Sequence, residues 1–352
     1  MEPMRFGIVG CGGIAQIHAD SLDVLASEGL AVLVAGAETH EGRAKEFSER
    51  WGVPVHGSLA ELLARDDIDA VAVCTPSGLH GDETIEIARS GRHILCEKPG
   101  DVVASKVAEG VRVAKEKGVV FGGIFQQRYT AGALKVKKAV DEGYFGHITF
   151  VHCETPWLRE QGYYDSGDWR GTWALDCGVL SNQGPHMVDR LLWLGGDVDD
   201  VIAATCETRD RKIEAETVAV ATIRLVNGAL GTITGTTLAY PGLAQRVLIC
   251  GSEGSAAFVG DDLVSFATKR PFEYEPPADI LPHARPEKVD ADGRAAKPLG
   301  MSSDMHAANY RNFVTSVRAG KRPLVTGEDQ YRVCRTLNLI YKRAGVGPYA
   351  SM

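Results

Sequence analysis

Phe6-Gly7-Ile8-Val9-Gly10-Cys11-Gly12-Gly13-Ile14-Ala15 is an apolar run that passes through a glycine turn into an apolar-periodic helix. Gly10 permits the tight turn, and Gly12 lets the backbone approach a pyrophosphate. Ala15 supplies the small side chain that close helix–strand packing needs. The N–H groups that open the helix, at Gly13 and Ile14, then face the phosphates. Glycines at this spacing are weak evidence alone. Here they follow a strand, precede a helix and begin a βαβ unit, which is the context a dinucleotide fingerprint requires.

The pattern outward from the turn alternates strands and helices. Strands are expected at Phe6–Val9, Ala31–Ala37, 53–55, Ala70–Cys74, 94–96 and 119–124, separated by helices. Ser58-Leu59-Ala60-Glu61 has capping-box spacing, and Gly91 and Gly118 sit where helix C-caps favour glycine. Six strands with crossover helices imply a doubly wound parallel sheet over 1–125. From residue 126 the pattern turns to alternating strands, with Asn227-Gly228 as a hairpin signal. Residues 126–352 therefore read as an α+β domain with a large open, mostly antiparallel sheet. Pro276–Gly300 reads as a long surface loop, and two helices near Met305–Arg318 and Gln330–Ala344 close the chain.

The 352 residues carry a net charge of −8, which argues against nucleic-acid or anionic-membrane partners. No apolar run approaches the roughly 18 residues of a spanning helix. Eight scattered cysteines without a C-x-x-C read as reduced thiols of a cytoplasmic protein, not as a metal site.

Arg92-His93-Ile94-Leu95-Cys96-Glu97-Lys98-Pro99 carries the chemistry of the first half. A buried strand stops on a carboxylate, a lysine and a proline. In a parallel sheet the crevice beyond the strands' carboxyl ends is where ligands bind, so Lys98 is delivered there by a rigid element. Pro99 ends the strand ladder and permits a cis bond. Glu38 ends the second strand in the zone where an acid binds the adenosine ribose, about 20 residues past the turn. That favours NAD; Arg43 leaves NADP open. Thr75, Pro76 and His80 follow the fourth strand and can contact the cofactor, and His80 reads equally as a helix start without a ligand.

The run Asp168 to Asp189 contains the remaining candidates. On one helix Asn182 and His186 share a face, and Asp189 is placed to orient His186. Pro185 requires that helix to start or kink nearby. On spacing alone a buried core histidine is the commoner reading of His186.

At Gly10 to His18, Cys74 to His80, Glu97-Lys98-Pro99, Gln126 to Tyr129, Gly178 to Asp189 and the tail from His306 to Asp329, the chain resembles the glucose–fructose oxidoreductase / inositol dehydrogenase / MocA family. The resemblance implies NAD(P) in the first domain, a sugar-like alcohol over the second, and sheets that pair in homodimers or homotetramers. It implies that Lys98 is an active-site lysine that also touches cofactor and substrate, and that His186 is the acid/base. Asn182 stands where many members have an aspartate. The Trp169–Trp173 and Asn182-Gln183 wording looks like members that oxidise C3 of nucleotide-linked amino-sugar uronates, although Cys177 and Val179 interrupt the triple-glycine run of many relatives. Arg128, Tyr163, Trp169 and Arg170 are the candidate sugar-facing groups. The resemblance leaves two alternatives to net sugar oxidation or reduction: an enzyme that retains NAD and oxidises C3 transiently for elimination or glycoside cleavage, and a non-catalytic dinucleotide sensor.

Overall fold

The central strands of the first sheet are short and buried on both faces, as in β4, where all four residues of Ala70–Val73 are buried. Continuous apolar strands of this kind need helices above and below. The computed structural model, which describes residues 2–282 and 303–351, supplies them. Strands β1 Met4–Val9, β2 Ala31–Ala37, β3 Val55–His56, β4, β5 His93–Cys96 and β6 Phe121–Gly123 alternate with helices α1 Gly13–Ser27, α2 Glu41–Trp51, α3 Leu59–Leu63, α4 His80–Arg89 and α5 Ala104–Lys117. All pairings are parallel, in the order β3-β2-β1-β4-β5-β6. The order reverses between β1 and β4, so a ligand crevice opens beyond their carboxyl ends. Ser58 caps α3 by accepting from Glu61 N, and Glu61 accepts in return from Gly57 N, so the expected capping residues act one position earlier than a strict box.

The second half contains α6 Ala131–Asp141, β7 Ile148–Pro156, α7 Gln161–Tyr164, α8 Val179–Asn182, α9 Pro185–Gly195, β8 Val198–Glu207, β9 Val218–Leu225, β10 Leu230–Thr236, β11 Arg246–Gly251, β12 Gly254–Val259, β13 Asp262–Thr268, α10 Ser303–Arg318 and α11 Gly327–Ala344. The seven-stranded sheet runs β13-β12-β11-β7-β10-β9-β8. Its pairs are antiparallel except β7 with β10. Val151, Cys153, Ala221, Ile223, Ile233, Val247 and Ile249 turn inward to a core shared with α9 and α11. The other face carries Phe150, Leu230 and Val220 in the open.

β13 lies outside the strands expected from sequence. Its alternation is weak because it is an edge, with polar residues on both faces. The Asn227-Gly228 hairpin forms, but Gly228 alone takes positive φ (87°), and Leu225 N donates to Ala229 O, so the loop is longer than a two-residue turn. Most of the surface loop expected over Pro276–Gly300 lies outside the described residues. Helix α10 sends Ala307, Tyr310, Phe313 and Val314 into the core beneath β1, so the end of the chain folds back on the first sheet.

Candidate active site

The glycine turn is built as expected. Gly10 has φ +82°, and a Cβ there would lie 2.7 Å from Thr75 N, so the turn must be glycine for the β4 loop to come this close. A Cβ on Gly12 or Gly13 would meet nothing within 4 Å, so protein packing does not explain these two glycines; a ligand approaching the backbone does. Gly12 caps α1 with no side-chain hydrogen bond and no acid follows in the first turn, so the N-terminus presents its N–H groups and positive dipole end to an anion. This cradle fits a dinucleotide pyrophosphate.

Glu38 stands beside it. Its carboxylate accepts from Cys11 N (3.1 Å) and His40 N (2.9 Å), and from the Arg43 guanidinium at 3.1 and 3.2 Å. Despite burial, those hydrogen bonds hold it below the usual carboxylate range. Glu38 is thus ionised at the edge of the cradle, and Arg43 is engaged with it.

Two residues expected to touch the cofactor are turned inward. His80 is 1% exposed, and its ring nitrogens lie 2.8 Å from the carbonyls of Pro99 and Thr75; it ties the β4 and β5 loops together. Glu97 is also buried and meets His18, His306 and the Lys98 N–H. The Thr75 hydroxyl donates to Glu83 at 2.5 Å; burial raises the Glu83 carboxyl to about 7.

Lys98 precedes a cis peptide bond to Pro99, and its ammonium donates to Asn182 O at 2.8 Å. Burial draws its pKa below the ordinary lysine value, opposed by Glu97 and Asp176. The segment that meets it comes from the second half. Gly78 N donates to Leu175 O, and a Cβ on Gly78 would fall 1.9 Å from Ala174 O, so the β4 loop docks tightly on residues 174–175. Cys177 then takes φ +56°, a left-handed conformation unusual for a non-glycine residue, and turns the chain into α8.

Asn182 and His186 do not share one continuous helix. Asn182 ends α8, and Pro185 opens α9 with His186 next to it; the proline's missing N–H and fixed φ suit that first position. Both residues nevertheless reach Lys98: Asn182 through its carbonyl, and His186 closely enough that Lys98 depresses its pKa. Burial first, then Lys98, lower His186 to about 3, so the ring is neutral. Its Nδ1 is sealed from solvent without a hydrogen-bond partner.

Asp189 does not orient His186. It forms a buried pair with Arg128 at 2.5 and 2.9 Å, and Arg128 also meets Asp329 at 3.0 Å and donates to Leu324 O. Arg128 is 2% exposed, so it joins the turn after β6 to α9 and α11 instead of facing a sugar. An arginine this deep persists because two carboxylates neutralise it.

Sequence reasoning gave no role to Asp176, which the turn at Cys177 brings back onto Asn182. It accepts a hydrogen bond from Asn182 Nδ2 and from Gly171 N at 2.8 Å. Burial raises its pKa. An acid therefore stands directly behind the asparagine. Its signal in the sequence was only its nearness to the Gly178–Asp189 run, with no helical period to link the two. Arg159 was missed as well. Tyr163 donates to Asn182 Oδ1 at 3.4 Å and accepts from Arg170 at 2.7 Å. The Arg170 guanidinium lies 4.4 Å from the ring centres of Tyr163 and Trp169, and Arg159 stacks on Trp157 and Tyr163. Among the described residues neither guanidinium has an ion pair, and both act electrostatically on Lys98.

The arrangement has the parts that hydride transfer would use: an anion cradle and an ionised acid on one side of the crevice, and an ammonium, a neutral imidazole and a cationic aromatic wall on the other. The chain is 32% identical to the WlbA dehydrogenase from Bordetella pertussis, solved in complex with NADH and UDP-GlcNAcA, with a TM-score of 0.83 over 97% of each chain. It is 30% identical to the dTDP-3,4-didehydro-2,6-dideoxy-alpha-D-glucose 3-reductase of Actinomadura kijaniata over 94% of this chain and 92% of that one. It is 26% identical to the myo-inositol 2-dehydrogenase of Thermotoga maritima over 93% and 92%. The model of an oxidoreductase family with an NAD-binding Rossmann fold matches residues 4–124, and the model of the GFO/IDH/MocA C-terminal domain matches 133–257. The chain belongs to the GFO/IDH/MocA family of NAD-binding oxidoreductases.

Proposed function

We propose that this protein is an NAD-dependent dehydrogenase that oxidises a secondary hydroxyl of an acidic, nucleotide-linked sugar. The observation that carries the reading is the convergence of Lys98 and a neutral His186 at the carboxyl ends of the first sheet. The substrate class rests on Arg159 and Arg170, two aromatic-stacked guanidiniums without carboxylate partners at the rim. The resemblance to the WlbA dehydrogenase, whose complex holds UDP-GlcNAcA, points the same way. Guanidinium matches carboxylate and phosphate geometry, and aromatic faces suit sugar rings.

When bound, the nicotinamide supplies the acceptor for the hydride. The protein's own residues handle the proton and the charge. His186 Nε2 takes the hydroxyl proton as the C–H bond breaks, because a neutral imidazole is the basic form. The Lys98 ammonium donates to the same oxygen and stabilises its developing negative charge. Asn182, fixed by Asp176 and Tyr163, orients the hydroxyl. Glu38 favours the ribose of NAD, since its carboxylate repels a 2′-phosphate. The named relatives are dehydrogenases and reductases, which favours net redox over NAD retention. We also infer assembly through the open face of the second sheet, where Phe150, Leu230 and Val220 are exposed in adjacent strands.

The test is absorbance at 340 nm with NAD⁺ or NADP⁺ and a panel of free polyols, glycosides and nucleotide-linked sugars. NADH formed fastest from a nucleotide-linked uronate supports the reading. No reduction with any member of the panel overturns it.

A further inference from the structure

Tyr349 lies in a short helical turn, Gly347–Ser351, and its hydroxyl meets both segments that face each other across the crevice. The side chain is buried, and the hydroxyl donates at 2.6 Å to Val102 O, four residues beyond Lys98. That carbonyl also accepts from Asn338 Nδ2 at 2.9 Å, so the loop keeps a second tie to α11. A phenol has one proton to give, and Val102 O takes it. The same oxygen can then only accept from the Cys177 thiol, whose Sγ lies 3.6 Å away. Burial pushes the pKa of that thiol up, so it stays protonated. The turn is seated on Trp173 as well, whose ring centre lies 6.1 Å from that of Tyr349 and 5.4 Å from that of Tyr341. Gly347 has φ +57°, and a Cβ on it would fall 2.6 Å from the indole, so glycine lets the turn come this close.

Cys177 is the residue at which this contact matters. Among the described non-glycine residues, only Cys177 and Asp210 take a positive φ. Asp210 is exposed, whereas Cys177 is buried. An L side chain in the left-handed region is strained, and it persists where its surroundings hold it there. The Cys177 N–H donates to Thr172 O at 2.7 Å and closes the turn 172–177. The turn brings the Asp176 carboxylate back to accept from Gly171 N and from Asn182 Nδ2. Asn182 O in turn accepts from Lys98. Relaxation of Cys177 toward negative φ swings Asp176 away from Asn182. The anion cradle at Gly12 and the acid Glu38 lie beside β1 and β2 and share no residue with this path.

We propose that Tyr349 is a positioning residue for the dehydrogenation proposed above, on which this inference rests: its hydroxyl, anchored on the loop that carries Lys98, holds Cys177 left-handed and so keeps Asp176 on Asn182. The two sides of the crevice are tied at one phenol oxygen. The tie sets the register between the Lys98 ammonium and the asparagine that orients the substrate hydroxyl. Tyr349 acts through Cys177 and Asp176, not on the reacting atoms. The strain at Cys177 marks where the tie acts. A glycine at that position adopts the same φ without cost and needs no clamp.

The test is turnover of Tyr349→Phe, alone and in a Cys177→Gly background, with NADH followed at 340 nm on the sugar that the wild type oxidises fastest. The clamp predicts that Tyr349→Phe lowers kcat about tenfold, within the cost of a sub-ångström shift of a positioning group, while NAD affinity stays within about twofold. Cys177→Gly retains turnover, and adding Tyr349→Phe to it changes kcat by less than about twofold, because the two sites are coupled. A hydroxyl with a merely structural role lowers kcat alike in both backgrounds, so equal losses overturn the proposal. A Tyr349→Phe protein with the kcat of the wild type overturns it too. Comparing Cys177→Ala with Cys177→Gly needs no change at Tyr349. Both lack the thiol, and only glycine takes the left-handed φ freely, so the alanine protein turns over more slowly. Equal turnover of these two, or a Cys177→Gly protein with none, overturns the clamp and leaves the dehydrogenase reading intact. No NADH from the wild type with any sugar overturns the reading on which the clamp rests.

Discussion

The Lys98 ammonium donates to the main-chain oxygen of Asn182 at 2.8 Å. A residue at the end of the first sheet is thereby aimed by the last residue of α8 in the second half, and the crevice between the halves acquires a fixed cation. Holding the donor with a backbone carbonyl restricts its geometry without neutralising it, which is what electrostatic stabilisation of an alkoxide requires.

Replacing Glu38 with alanine removes the acid proposed to face the ribose and frees Arg43, its guanidinium partner. The ratio of kcat/KM for NAD⁺ over NADP⁺ falls by about tenfold or more, the value of a lost charge-assisted hydrogen bond. Unchanged affinities for both cofactors remove Glu38 from ribose recognition.

Arg128→Leu leaves Asp189 and Asp329 buried without their partner. Stability drops by about 3–5 kcal/mol, measured by denaturant unfolding, because an uncompensated buried charge is costly. A stable variant with only a raised KM would return Arg128 to the substrate site.

Glu216 accepts from Leu180 N and the Tyr341 hydroxyl, and burial raises it to about 7. From the unfolded value near 4.5 up to about 7, the folded protein holds a proton the unfolded chain has lost. Stability is therefore complete below that window and declines as pH rises through it. Glu216→Gln gains up to about 3 kcal/mol over wild type at pH 8, and the gain shrinks toward pH 5. A gain that does not vary with pH contradicts this.

Val220 is 51% exposed on the open sheet face. On the assembly proposed above, Val220→Glu lowers the oligomeric order seen by light scattering, because a carboxylate buried in an apolar contact has no partner. An unchanged assembly moves the interface elsewhere.

The parallel sheet and its ligand edge were legible because glycine turns, β-branched runs and cap residues are local signals. Lys98 was legible for the same reason, as the residue on which a buried strand stops. The sequence misled where two distant segments compete for one group. Asp189 has helical spacing to His186, but Arg128 arrives from the turn after β6 and takes its carboxylate. Glu97 and His80 look like ligand groups beside a crevice; the histidines of α1 and α10 claim one, and two loop carbonyls the other. Asp176 was invisible because a left-handed residue, Cys177, folds it back onto Asn182, and no periodicity marks such a turn.

The measurement that bears most directly on the account is turnover by Lys98→Met, with NAD affinity and thermal unfolding recorded on the same preparation. The account expects NAD affinity and fold to be retained and kcat to fall at least about 10²-fold, the low end for a positioned proton-transfer group. Turnover close to that of the wild type would contradict it.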